Sequence, residues 1–148
     1  MKLRSVIFTA LALTLAGTAP GLGVDSGRSS SVSSSMQDAR AQITNQRWAD
    51  AIATLRVVLE AEPNNADANN LMGYSLRKSG NLQRAEGFYL KALKVSPKHK
   101  GANEYLGELY VETGNLAKAK ARLEVLEGIC GTDCEEYQDL KAAIDKAS

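Results

Sequence analysis

Ala68–Pro97 reads A-N-N-L-M-G-Y-S-L-R-K-S-G-N-L-Q-R-A-E-G-F-Y-L-K-A-L-K-V-S-P, which is two amphipathic segments on either side of a Gly-Asn turn. In both segments apolar residues recur at helical spacing. The pattern returns 34 residues later, where Gly107 stands in the place of Gly73. It also extends 34 residues backwards, where Pro63 stands in the place of Pro97. The sequence therefore predicts repeated helix–turn–helix units.

Small residues and prolines keep their places in successive units. The glycines fall in the first helix, where the second helix is expected to cross closely, the alanines in the second helix, and the prolines in the closing turn. The positions assigned to repeat packing are Gly73, Gly107, Ala51, Ala85, Ala119, Pro63 and Pro97. A larger side chain at a glycine or alanine position would push the helices apart. A proline cannot continue the helix that it follows.

This pattern resembles the tetratricopeptide (TPR) repeat. The resemblance implies an all-α fold, an α-solenoid of three TPR helix–turn–helix repeats within residues 36–133, with boundaries at about 32–65, 66–99 and 100–133. Residues 134–148 form one more amphipathic segment, which is expected to be a C-terminal capping helix. The first repeat is the least regular, because Gln46 replaces the turn glycine of the later repeats.

The N-terminus has a different composition. A basic start at Lys2 and Arg4 precedes a short apolar run and several small residues, which predicts a cleaved signal peptide over residues 1–23. A serine- and glycine-rich segment, residues 24–35, is expected to be a flexible linker. These features predict export, most simply to a bacterial periplasm. If the segment stays uncleaved, it would anchor the protein to a membrane.

The overall composition favours one globular domain and no special ligand. The chain has 148 residues, 44% of them hydrophobic and 24% charged, with a formal net charge of +1. That balance gives no reason to expect a nucleic-acid partner. We find no nucleophile motif, phosphate loop or metalloprotease motif in the sequence, so neither an enzyme nor a cofactor is expected.

Cys130 and Cys134 are the only cysteines and lie at the start of the capping segment. In an exported chain, two cysteines usually form a disulfide, which here would fix the angle of the capping helix. Free thiols and a cysteine-based metal or redox carrier are the alternatives. The spacing C-x3-C-x2-Tyr-x2-Leu is similar to the ending of small exported bacterial TPR proteins, which implies no activity.

In TPR proteins the first helices of the repeats line a concave groove that binds another protein. The resemblance therefore implies a non-catalytic protein-interaction module, an adaptor or assembly factor whose groove binds a peptide or helix of a partner. The groove positions that it assigns to this role are Gln37, Arg40, Asn70, Tyr74, Arg77, Glu104 and Glu108. The alternative is a self-associating scaffold, a homo-oligomer formed through an uncapped N-terminal face near Trp48 and Ile52.

Overall fold

The computed structural model describes residues 25–148, with side chains from Ser29 onward. The predicted signal peptide, residues 1–23, lies outside the described residues. Within this part of the chain every regular element is a helix, which confirms the all-α class. The helices are α1 Asp25–Thr44, α2 Trp48–Ala61, α3 Ala66–Lys78, α4 Leu82–Val95, α5 Lys100–Glu112, α6 Leu116–Cys130 and α7 Glu135–Ala147.

The helices pack as successive pairs that stack along one axis. Each of α1/α2, α3/α4 and α5/α6 is one pair, and the second helix of each pair packs on the helix that follows it. The first helices also touch one another, α1 with α3 and α3 with α5. No such contact joins α2 to α4 or α4 to α6 anywhere in residues 25–148. The stack therefore curves, and we call the surface formed by α1, α3 and α5 the inner face.

The turns within the repeats depend on a left-handed backbone conformation. Gly80 and Gly114 have φ angles of 81° and 74°, which glycine adopts without steric cost. In the first repeat the same position is held by Gln46, with φ 55°. A side chain in this conformation is strained, so the first turn is formed at a cost that the later turns avoid.

The turns between the repeats are fixed by polar side chains. The side chain of Asn65 accepts a hydrogen bond from Ala68 N and so caps α3. His99, the residue 34 positions later, caps α5 by accepting a hydrogen bond from Ala102 N through Nδ1. The buried amide of Asn103 donates to the carbonyls of Pro97 and His99. The two caps satisfy N–H groups that the start of a helix leaves without partners, and the Asn103 bonds hold the preceding turn against α5.

The alanine positions and both glycine positions lie where neighbouring helices approach closely, and at Gly73 the neighbour is the expected one. Ala51, Ala85 and Ala119 have no exposed surface. A Cβ atom placed on Gly73 would lie 2.7 Å from Cδ1 and Cε1 of Tyr89 in α4, the second helix of the same repeat. The Tyr89 ring can reach the core only because position 73 carries no side chain.

At Gly107 the expected partner helix is wrong. The nearest atoms to a Cβ at this position belong to Leu140 of α7, with Cδ1 at 2.7 Å, and not to α6 of the same repeat. The residue 34 positions after Tyr89 is Leu123, whose shorter side chain replaces the ring. Gly107 therefore makes room for the capping helix, whose Leu140 is completely buried.

The predicted linker needs a second correction. Residues 25–35 are not a flexible linker in the structure but the first half of α1, which begins at Asp25 and not near Met36. Val32 is 8% exposed and belongs to the same hydrophobic core as Ala39. Val32 lies one helical turn before Met36, on the same face of α1. This one valine therefore attaches the serine-rich segment to the core. Burial outweighs the modest helix propensity of serine.

Between Asp25 and Ser148, no helix is both long and apolar enough to cross a membrane.

Candidate functional site

Aromatic rings form a row at the centre of the inner face. The Tyr74 ring of α3 lies 6.0 Å from the Trp48 ring of α2 and 4.9 Å from the Tyr105 ring of α5, between centroids. All three side chains are half-buried, so part of each ring remains accessible. Tyr105 also contacts the buried Tyr89 ring at 6.4 Å, which ties the row to the core. The row is a rigid apolar surface that is open to solvent on one side.

Arg77 lies against this row and is held in place from two sides. Its guanidinium group is 5.7 Å from the ring centroids of both Tyr74 and Tyr105. It donates to Glu112 Oε1 at 2.7 Å and to Glu108 Oε2 on the same helix. Only 3% of the Arg77 side chain is exposed. The arginine therefore joins α3 to α5, and its charge is neutralised by carboxylates of the same protein.

Glu104, also on α5, is the least satisfied charged residue of the inner face. It is 6% exposed, and no hydrogen bond or ion pair reaches it from the described part of the chain. Burial raises the pKa of Glu104 to about 8, and the nearby carboxylates of Glu108, Asp139 and Glu136 raise it as well. The side chain is therefore largely protonated at neutral pH in the free protein.

Asn70 occupies the same place on α3 that Glu104 occupies on α5, 34 residues later. It is 6% exposed, and its Oδ1 accepts no hydrogen bond within the described residues. Its Nδ2 lies close to Gly101, where an added Cβ would be 3.3 Å away. Gly101 is one helical turn before Glu104, so the two polar side chains lie on adjacent helices at neighbouring positions.

The structure brings five of the seven predicted groove residues together and leaves two apart. Asn70, Tyr74, Arg77, Glu104 and Glu108 belong to the arrangement above, whereas Gln37 and Arg40 lie exposed on α1. Arg40 pairs with Asp67 of α3 at 3.2 Å. The role of all seven in partner binding stays a prediction.

The 34-residue repeat pattern did not identify two residues that lie with Tyr74 and Arg77 on the inner face. Tyr105 is the counterpart of Leu71, a core position, so the 34-residue frame gave no reason to place it beside Tyr74. Glu112 is the counterpart of Lys78, and its pairing with Arg77 depends on the distance between helices. A search for opposite charges on successive first helices would have found Glu112.

The surface expected for self-association is partly covered. Trp48 packs against Tyr74, and Ile52 is partly buried against the core. Large apolar side chains that remain exposed lie on the second helices α2 and α4. They are Val57, Leu90 and Val95.

A depression of about 540 Å³ lies between α4 and the turn that joins α2 to α3. It is lined by Pro63, Asn64, Lys91, Lys94 and Val95. No buried polar side chain points to a ligand there, so the candidate site remains on the inner face.

Cys130 and Cys134 lie side by side between α6 and α7. Their Cα atoms are 6.0 Å apart and their sulfur atoms are at bonding distance. Gly131, between them, has φ 78° and ends α6. The two sulfur atoms and a carboxylate oxygen of Glu136 lie within 4.8 Å of one another, so these three side chains are the potential ligands of a metal carrier. Neither role is tested by this geometry, and the disulfide stays a prediction.

Two family models match the chain, both described as tetratricopeptide repeat. One matches residues 37–99 and the other residues 76–144, so together they extend from the second half of α1 through most of α7. The chain therefore belongs to the tetratricopeptide repeat family. Among curated proteins, the sequence has no significant match.

Several solved structures are similar to this fold. The Yersinia enterocolitica type III secretion chaperone SycD, in complex with a peptide of the translocator YopD, has a TM-score of 0.69 and 14% identity, covering 80% of this chain and 89% of that chain. PcrH, in complex with the chaperone binding region of PopD, has a TM-score of 0.72 and 11% identity over 80% and 92%. A tetratricopeptide repeat protein from Parabacteroides merdae has a TM-score of 0.68 and 16% identity over 78% and 45%. At these identities the likeness concerns the fold.

Proposed function

We propose that this chain is a non-catalytic protein-binding module whose inner face holds a peptide segment of another protein. The observation that supports this most is the aromatic row of Trp48, Tyr74 and Tyr105, which Arg77 stacks against. Rigid aromatic side chains that are partly exposed supply contact area at a low cost in conformational entropy. SycD and PcrH, which share the fold, are described as chaperones in complex with segments of partner proteins.

We further propose that the protein works outside the cytoplasm, as an exported adaptor or assembly factor. The basic and apolar N-terminus supports this, since it has the composition of a secretory signal. The adjacent cysteines support it as well, because a disulfide between them would persist in an oxidising compartment.

The test is capture of a partner by matched variants. Tyr74→Ala removes the central ring of the row and retains the ion pairs of Arg77 with Glu108 and Glu112. Leu90→Ala, at a side chain on α4 that is 48% exposed, removes a comparable apolar area from the other side of the stack. Arg77 is unsuitable because its loss would leave Glu108 and Glu112 without their cation.

We expect cross-linked protein from a periplasmic extract to be captured by the wild type and by Leu90→Ala but lost with Tyr74→Ala. Circular dichroism should show equal helix content in all three proteins. Equal capture by Tyr74→Ala would move the binding surface away from the inner face and overturn the proposal.

A further inference from the structure

The inner face carries a nearly buried carboxyl, Glu104, that forms no ion pair within the described residues. We propose that it recognises a lysine or arginine side chain of its peptide partner, with the carboxylate of Glu104 as the pairing group. This inference rests on the proposed function, since it names the chemistry of the partner that the inner face binds.

Two acceptor groups of the inner face receive no hydrogen bond from the described residues. Glu104 is almost completely buried, and Asn70 Oδ1 on the adjacent helix is buried as well, yet neither receives a hydrogen bond from residues 29–148. The unpaired Asn70 Oδ1 costs free energy in the free protein, and so does the desolvation of the Glu104 carboxylate. A bound group that carries several N–H donors would remove that cost, and both lysine and arginine carry such a group.

The balance of charge on the inner face also favours a positively charged partner. The guanidinium of Arg77 is taken by Glu108 and Glu112, and the Lys100 ammonium pairs with Glu136 Oε1 at 2.9 Å. Glu104 has no cation of its own in the described part of the chain. An acidic partner would add to the surplus of carboxylates, whereas a basic side chain would offset it.

The side chains around Glu104 favour a peptide side chain over a metal ion. A metal ion needs several ligand atoms at once, and no group of three potential metal ligands among residues 29–148 includes Glu104. The half-buried rings of Tyr74 and Tyr105, by contrast, suit the methylene stem of lysine or arginine. A cation near a tyrosine ring is also attracted to its face, as Arg77 already is at 5.7 Å. These features favour a side chain of a peptide.

The arrangement couples binding to pH. Glu104 must lose its proton before it can pair with a cation, and its pKa in the free protein is about 8. The charged or titratable groups around it are Glu108 and Tyr105 of α5, Glu136 and Asp139 of α7, and Arg77 of α3. We therefore expect the affinity for a basic peptide to increase about tenfold per pH unit up to about pH 8, and to level off above it.

The experiment begins with selection of random twelve-residue peptides on the full chain at pH 8.5. Peptides that also lose binding to Tyr74→Ala are kept as ligands of the inner face. Each is then synthesised with its basic residue and with norleucine in that place, which keeps the apolar stem and removes the charge. Affinities are measured for the wild type, for Glu104→Gln and for Glu124→Gln, a control that removes a carboxylate from an exposed position on α6.

We expect the selected peptides to share a lysine or arginine at one position. For the wild type and for Glu124→Gln, the norleucine peptide should have an affinity at least tenfold lower than that of the parent peptide. For Glu104→Gln, the affinities of the two peptides should agree within twofold. A pH series on the wild type gives a second readout that needs no variant. The parent peptide should gain affinity between pH 6.5 and 8.5, and the norleucine peptide should not.

Two other results would overturn the inference in distinguishable ways. Peptides that need Tyr74 but show no effect of norleucine would contradict the cation site and leave the proposed function standing. If no selected peptide depends on Tyr74, the inner face is not a peptide-binding surface, and both proposals fall together.

Discussion

At the scale of single residues, Glu104 makes the stability of this protein depend on pH. Its pKa is about 8 in the folded chain, against an ordinary value of 4.5. Between about pH 4.5 and pH 8, the Glu104 carboxyl is mostly deprotonated in the unfolded chain and mostly protonated in the folded chain. The stability contributed by the protonated carboxyl is therefore present below about pH 4.5, declines as the pH rises to about 8, and is constant above it.

Glu104→Gln should remove this dependence, since glutamine has a similar shape and does not titrate. We expect the variant to match the wild type near pH 4.5 and to exceed it by roughly 1–3 kcal/mol at pH 8.5, measured by urea unfolding. Glu124→Gln should change neither value by more than about 0.5 kcal/mol. A constant difference between wild type and Glu104→Gln across this range would contradict the burial of the charge.

Gln46 is a second residue that lowers the stability of the folded protein, in this case through strain in its own backbone. Its left-handed backbone, with φ 55°, is the conformation that Gly80 and Gly114 adopt in the later turns. Gln46→Gly should therefore stabilise the protein by about 0.5–1 kcal/mol, whereas Gly80→Ala should destabilise it by about 1 kcal/mol or more. Thermal unfolding of both variants tests this. A loss of stability in Gln46→Gly would mean that the side chain contributes more than its strain costs.

At the scale of helices, the contact between α5 and α7 depends on the missing side chain of Gly107. The ion pair of Lys100 with Glu136 joins the same two helices at 2.9 Å. The capping helix is thus attached by one tight apolar contact and one polar contact.

Gly107→Ala should displace Leu140 and destabilise the protein by about 1–3 kcal/mol. Leu140→Ala alone should cost about 2–5 kcal/mol because it leaves a cavity. In the double variant the new methyl group occupies part of that cavity, so the combined cost should be smaller than the sum by at least 1 kcal/mol.

Gly87→Ala is the matched control, since no atom lies within 4 Å of a Cβ at that position of α4. We expect it to stabilise the helix by about 0.5–1 kcal/mol in urea unfolding. Additive costs of Gly107→Ala and Leu140→Ala would rule out the proposed contact between them.

At the scale of the whole molecule, each helix contacts only near neighbours in the stack. The longest-range pairings join helices two places apart, such as α3 with α5 and α5 with α7. Such a protein behaves as a row of units that stabilise one another through their interfaces. The effect of a substitution at one end should then decrease with distance along the row.

Leu140→Ala should therefore weaken protection against hydrogen exchange in a graded way. We expect amides of α5, α6 and α7 to lose protection first and most, those of α3 and α4 less, and those of α1 and α2 least, measured by mass spectrometry. Equal loss in all helices would show that the chain opens only as a single cooperative unit.

The repeat architecture was predictable because it rests on local spacing. Gly80 and Gly114 predict the turns, Pro63 and Pro97 predict the breaks between repeats, and the apolar period predicts the helices. Each of these signals acts within a few residues of itself, so no knowledge of the partner helix is needed. The first half of α1 was not predicted as a helix because it is rich in serine. Its one apolar contact with the core is made by Val32.

The chemistry of the inner face could not be predicted in the same way. Periodicity places Arg77 and Glu104 on first helices, but it does not say that one is neutralised by two carboxylates while the other stays without a partner. Nor does it say that Gly107 faces Leu140. Those facts depend on distances between residues more than 30 positions apart, and on how much water each group loses when the helices stack. Local sequence fixes where the helices begin and end, whereas packing between them sets the charge and burial of every group that they bring together.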